Sequence, residues 1–221
     1  MLISTLLQLL DGFRFTFGIF AFTLLFSIPL GLLVCKGRMV KNIVISSIFR
    51  IYISVLRGTP LMLQLFLVYF GPYYLFKVNT GSIQLGPFND RFLATIIAFS
   101  LNYAAYFAEI FRGGIQSMSK GQYEAATVLG FSRAQTYFKI ILPQVVKRVL
   151  PSVSNEIITL VKDTSLAQVI SVAEMFTKAS AAASTQVSVM PFIAAGAFYY
   201  ITNLVIEAIL NRVEKSMSYY S

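Results

Sequence analysis

The chain has 221 residues, 57% of them hydrophobic and only 12% charged, with a mean hydropathy of +0.72. A soluble domain of this length carries about twice that charged fraction, so an ordinary soluble fold is excluded. The net charge of +9 comes with no histidine and a single cysteine, Cys35. That removes the commonest metal ligand, the commonest general base and any internal disulfide.

Four stretches carry no charge: Phe15 to Cys35, Gly58 to Phe76, Phe92 to Ala108 and Ala179 to Ile206. About 20 apolar residues cross a hydrocarbon core as a helix, so the pattern predicts an all-α integral membrane protein. The opening "MLISTLLQLL" has a leucine-rich face but is short for a span, and predicts a separate helix lying on the membrane surface. No basic n-region or small-residue cleavage site follows, so no cleaved signal peptide is expected. The first span covers about 12–35, with Pro29 and Gly31 placed to bend it. After the basic loop "KGRMVK", "NIVISSIFRIYISVLRG" runs along the interface or leads into a second span at about 59–76. A third span is expected at about 91–111, a fourth at about 149–173 and a fifth at about 191–210. The whole of 1–221 then forms one transmembrane domain.

Five spans place the termini on opposite sides. With the N-terminus outside, twelve basic residues fall in inner segments and four, Arg14, Lys77, Arg91 and Lys178, in outer ones. The positive-inside rule therefore favours an outside N-terminus and a cytoplasmic C-terminus, and the basic excess reads as topology rather than nucleic-acid binding. The longest inner loop is 112–148. Ser119 with Gln122, and Ser132 with Gln135, both have capping-box spacing. Gly130 lies between them, where a glycine ends a helix in the left-handed conformation. The loop is expected to form a short helix, a tight turn and a second helix ending near Pro143, a rigid elbow suited to docking; an amphipathic loop without a partner is the plainer reading.

That loop reads "EAATVLGFSRAQTYFKIILP" and resembles the signature loop of ABC importer permeases, with Glu124, Ala125, Ala126, Gly130, Ile140, Leu142 and Pro143 at matching spacings. "LRGTPLMLQLFLVYFG", "AEIFRGGIQSMSKGQYEAA" and "LVKDTSLAQVI" resemble the polar amino-acid uptake branch of that family. The resemblance covers most of the chain from about Gly12 to Asn211 and implies an ABC type I importer permease core in a prokaryotic inner membrane. It further implies a second permease chain, identical or related, an ABC ATPase subunit that holds the elbow in a cleft, and an extracytoplasmic substrate-binding protein. Glu124, Ala125, Ala126, Gly130, Leu142 and Pro143 would couple to the ATPase, the two alanines by allowing close packing. No "GxxxxGK[ST]" loop occurs, so ATP and magnesium are expected on the partner, with no cofactor, metal or catalytic residue here.

The stretch "NEIITLVKD" places charges in the fourth span. Each charged side chain costs about 2.5–3.5 kcal/mol at a bilayer centre on insertion scales, so each needs a reason. At about 100° per residue, Ser152, Asn155, Glu156, Thr159, Lys162 and Asp163 form one stripe about 120° wide. Glu156 and Asp163 stand about 10 Å apart along the axis, the scale of a free amino acid. The competing reading is that these charges pair with one another and fix packing. Relatives in the resembling branch commonly carry glutamine where this chain has Glu156, a departure that adds negative charge and points to a cationic substrate, arginine or lysine first and histidine next. A guanidinium suits a two-pronged contact with a carboxylate. Lys162 either neutralises Asp163 or faces the substrate carboxylate.

Thr59, Gln64, Asn102 and Tyr106 are polar points in apolar runs, candidates for substrate contact or for helix–helix hydrogen bonding. The expected function is the permease subunit of an ATP-driven importer for cationic amino acids. The alternative is the same importer class for glutamine or another polar amino acid. A self-sufficient secondary transporter is disfavoured because no internal repeat is evident. A scaffold would leave the polar stripe unexplained.

Overall fold

A computed structural model of the chain describes residues 2–78, 84, 85 and 88–217. The expected surface helix does not stand apart: α1 runs unbroken over Leu2–Arg38. Nothing between Leu10 and Phe13 stops it. Asp11 reaches out to the Lys178 ammonium at 3.1 Å, while Gly12 is buried in a close crossing. A Cβ added at Gly12 would lie 2.7 Å from the Met175 Cα.

Asn42 then caps α2 (Ile43–Gly58), accepting from the amides of Val44 and Ile45. Pro60 prevents continuation, and the chain turns 109° into α3 (Leu61–Phe76). Two short paired strands, β1 (Gln84–Leu85) and β2 (Phe88–Asn89), precede α4 (Asp90–Gln116), whose first turn is capped by the Asn89 side chain.

The inner loop contains α5 (Lys120–Val128), the short α6 (Arg133–Gln135) and a π-helical turn at Thr136–Ile141. The expected stop at Pro143 is absent. The wider turn lies just where a proline lacks the N–H for the next helical bond, and the chain passes through Pro143 into α7 (Leu142–Asp163).

The fourth expected span, about 149–173, is likewise not one helix. α7 ends at Asp163 and tightens into a 3-10 helix at Thr164–Ile170, closed by Ser171 at φ 59°. Thr164 Oγ1 donates to the Val161 carbonyl at 2.7 Å and Ser165 Oγ to the Lys162 carbonyl at 2.8 Å, drawing those acceptors away from continued α-helix. The uncharged stretch after it is also divided. α8 (Met175–Gln186) ends at Val187, whose φ is 49°, and α9 (Met190–Ser216) follows.

α4 is the hub, packed by α1, α2, α3 and α7. Its Phe92, Phe99, Tyr103 and Phe107 are buried with Ile19, Leu65 and Leu160. Small residues permit the closest approaches. Added Cβ atoms would come within 2.8 Å of Phe107 at Gly31 and 2.2 Å of Val149 at Gly114. α9 instead shows Ile193, Ile201, Val205 and Ile209 to the outside.

Among the described residues, Ile3–Arg38, Asp90–Gln116 and Met190–Ser216 are long and apolar enough to cross a membrane, and the bent pair α2–α3 is a fourth candidate. The polar residues of α7 keep it out of that set, although 22 residues are length enough.

Candidate substrate path and coupling elbow

All six stripe residues lie on α7, and the stripe faces away from the core. Val145, Val149, Ser154, Leu160 and Val161 point inward, whereas Ser152, Asn155, Thr159 and Lys162 are exposed and Glu156 and Asp163 half-buried. The two acids differ in their partners. Asp163 accepts a 2.7 Å hydrogen bond from the Tyr103 hydroxyl on α4. Glu156 has no hydrogen bond or ion pair among the described residues. Thr159 spends its hydroxyl on the Asn155 carbonyl at 2.9 Å. Lys162 faces another way, lining a cavity of about 310 Å³ with Ser165, Phe176, Phe192 and Tyr199. Towards the elbow, Ser152 opens onto a crevice of about 420 Å³ that includes Glu109, Ser117 and Arg148.

Thr59, Gln64 and Asn102 come together, but at the α2–α3 bend rather than on the stripe. Gln64 Nε2 donates to the Leu56 carbonyl at 2.8 Å and to Thr59 Oγ1 at 2.8 Å, while its Oε1 accepts from Asn102 Nδ2 at 2.9 Å. Asn102 Nδ2 also donates to the Leu56 carbonyl at 3.0 Å. Carbonyls at the end of a helix need such partners, and here two buried amides supply them. Their hydrogen-bonding capacity is used in holding the bend against α4.

Three participants escape the sequence reading. Tyr103 holds Asp163. Arg57, in the last turn of α2, places its guanidinium carbon 5.1 Å from the centre of the Tyr106 ring. Glu174 is completely buried and caps α8 from just beyond the expected fourth span. The signal for Arg57 was available in "LRGTP": a charge immediately before two helix breakers lies at a helix end.

The elbow is built as a rigid piece. α5 ends in a Schellman motif, with Gly130 at φ 79°, its amide donating to the Thr127 carbonyl and the Phe131 amide to the Ala126 carbonyl, each at 3.0 Å. Ser132 and Gln135 form the expected capping box. Ser119 takes the N-cap position without a side-chain cap, so that half of the expectation fails. Gln122 lies instead 3.4 Å from Gln144 of α7. Met118, Ile141, Val145 and Val149 form a buried cluster joining the elbow to the bases of α4 and α7. Glu124 and Ala125 are exposed and Ala126 buried; Leu142 is half-buried and Pro143 exposed. Val128 and Leu129 also project outward, at 87% and 73% exposure.

The chain is similar to proteins of known role. It is 36% identical to the arginine transport system permease protein ArtQ of Bacillus subtilis, over 95% of this chain and 92% of that one. It is 35% identical to the L-cystine transport system permease protein TcyB of the same organism, over 95% and 86%. A putative glutamine transport system permease protein GlnP of Rickettsia bellii is 31% identical over 96% and 94%. Among solved structures, an amino acid ABC transporter crystallised with histidines superposes with a TM-score of 0.86 at 30% identity, covering 97% of this chain and 96% of that one. Residues 27–219 match the family described as binding-protein-dependent transport system inner membrane component, and the chain belongs to it: a multi-pass inner-membrane permease subunit of a prokaryotic ABC importer for amino acids.

Proposed function

We propose that this permease pairs with a second, identical or related chain to enclose a path for cationic amino acids, arginine or lysine first and histidine next. Glu156 carries the reading: a half-buried carboxylate with no partner among the described residues, on an outward polar face of α7. A free carboxylate facing lipid is strongly disfavoured, so this face needs a second chain over it and a cation beside it. In this reading α7 is the fourth of five membrane crossings, the N-terminus is outside, and 112–148 lies in the cytoplasm. Asp163, Asn155, Thr159 and Ser152 complete the polar wall.

ATP and magnesium belong to a separate ATPase subunit, and substrate arrives from an extracytoplasmic binding protein. Closure of the ATPase moves α5. α5 packs against the π-helical turn at Thr136–Ile141, which runs directly into α7 and is held by the Met118–Ile141–Val145 cluster, so motion at the elbow is passed to the stripe. This is alternating access without bond chemistry in this chain. The second reading, glutamine or another polar amino acid, is favoured by the similarity to the putative glutamine permease.

The test is equilibrium binding of arginine, lysine, histidine, glutamine and cystine to the purified permease–ATPase complex and to its Glu156→Gln variant. Selective binding of the cations, lost by about tenfold or more in the variant, is expected from removal of a charge-assisted contact. Equal binding of glutamine and arginine, or an unchanged variant, overturns the cationic reading.

A further inference from the structure

The polar wall on α7 accounts for a positive group of the substrate but supplies no obvious partner for the α-carboxylate that every free amino acid carries. Lys162 is turned towards the cavity between α8 and α9. A second cation, Arg57, lies on α2. It is exposed and has no carboxylate within ion-pair distance among the described residues, and its charge reaches both Glu156 of α7 and Glu109 of α4.

The position of Arg57 is built. It lies in the last turn of α2, where a cation is favoured by the helix dipole. The turn is anchored by the bonds from Gln64 and Asn102 to the Leu56 carbonyl, the residue just before it. Thr59 Oγ1 donates to the Val55 carbonyl at 2.8 Å and closes the same turn. The guanidinium rests over Tyr106, whose ring is 6.3 Å from that of Tyr103, the donor to Asp163. Two tyrosines on α4 thus bridge a cation on α2 and Asp163 on α7. Next to Arg57 the space is open: a Cβ added at Gly58 would meet nothing within 4 Å.

We infer that Arg57 is the specificity-determining contact for the substrate's α-carboxylate, with the acids of α7 taking its positive groups across the gap. Resting on the stripe as the substrate site, this assigns the Thr59–Gln64–Asn102 cluster a positioning role: it fixes the helix end from which Arg57 projects. The arrangement selects free α-amino acids over amines and esters that lack the negative charge. A planar guanidinium also accepts a carboxylate in two-pronged geometry, which a lysine at the same place does not reproduce.

The test compares L-arginine with L-arginine methyl ester, which keeps both positive groups and removes the negative one. Binding is measured by calorimetry on the purified permease–ATPase complex for the parent, Arg57→Gln, Arg57→Lys and Lys162→Gln. The parent is expected to prefer the free acid by about tenfold or more, the scale of one charge-assisted contact. Arg57→Gln should lose that preference by weakening the acid alone, with Arg57→Lys recovering part of it and Lys162→Gln retaining it. A merely structural Arg57 would weaken acid and ester alike, and that result overturns the inference. Collapse of the preference in Lys162→Gln but not in Arg57→Gln also overturns it, moving the carboxylate to Lys162. If Glu156→Gln leaves parent-like affinity while Arg57→Gln still erases the acid preference, the cationic reading fails and the carboxylate contact survives. Absence of binding by either ligand to the parent removes both.

Discussion

Glu174 is buried to 0% exposure and is held by donors on three sides of its carboxylate. The amides of Phe176 and Thr177 donate to it at the start of α8, the Thr177 hydroxyl adds a third bond, and the Tyr199 hydroxyl of α9 a fourth at 3.0 Å. A carboxylate with this many donors is stabilised as a buried group, and it rivets α8 to α9. Glu174→Gln replaces one acceptor oxygen by a donor that faces other donors. The expected loss is about 1.5–3 kcal/mol of stability, the range for hydrogen bonds to a charged group. It is measured as a lowered unfolding temperature of the purified permease–ATPase complex, with substrate affinity in the cold unchanged. An unchanged unfolding temperature would show that the four bonds contribute nothing net. Residue-scale roles of this kind were hidden in the sequence because a cap has meaning only once its helix is known. α8 begins between the expected fourth and fifth spans, where no helix was expected. The helical face shared by Ser152, Asn155, Glu156, Thr159 and Asp163, in contrast, needed only a helical period, whereas the turn of Lys162 towards α8 and α9 was not legible.

At the scale of elements, Gly130 was legible for a physical reason: a turn between two capped helices requires a positive φ, and only glycine adopts one without strain. Its φ of 79° carries that requirement into an alanine substitution. Gly130→Ala is expected to strain the elbow by about 1–2 kcal/mol, with Gly130→Asn tolerated better. Co-purification of the ATPase subunit with the permease measures the consequence: weaker for alanine, near the parent for asparagine. Equal co-purification of both variants would mean the Schellman geometry is not needed for docking. The π-helical turn and the early end of α7 were not legible. Pro143 was read as a terminator, yet a local widening carries the helix past it. Thr164 and Ser165 were read within the fourth span, although their hydroxyls bond the last helical carbonyls. The two errors have different sources. A π-helical turn absorbs the missing N–H of Pro143, whereas hydroxyl competition for backbone carbonyls ends α7, and hydropathy registers neither.

For the whole molecule the open quantity is which side of the membrane each turn faces. If α7 does not cross, the turn at Leu129 and the turn at Val187 lie on the same side, and the termini do too. If α7 crosses, they lie on opposite sides. Charge favours the second arrangement, because twelve basic residues then gather on the inner side against four on the outer. The polar stripe does not contradict it, since ionisable residues occur within crossings where they face a path or a partner. Leu129 and Val187 are suited to the test because they are 73% and 93% exposed. Cys35, the single native thiol, is buried and can be replaced by serine to clear the background. In that background, a membrane-impermeant thiol reagent applied to intact cells should label Val187→Cys at once. Leu129→Cys should be labelled only after the membrane is permeabilised. Labelling of both from outside would remove α7 as a crossing, and labelling of Leu129→Cys alone would invert the molecule. Only the expected pattern leaves the elbow where an ATPase can reach it while α7 carries the stripe through the bilayer.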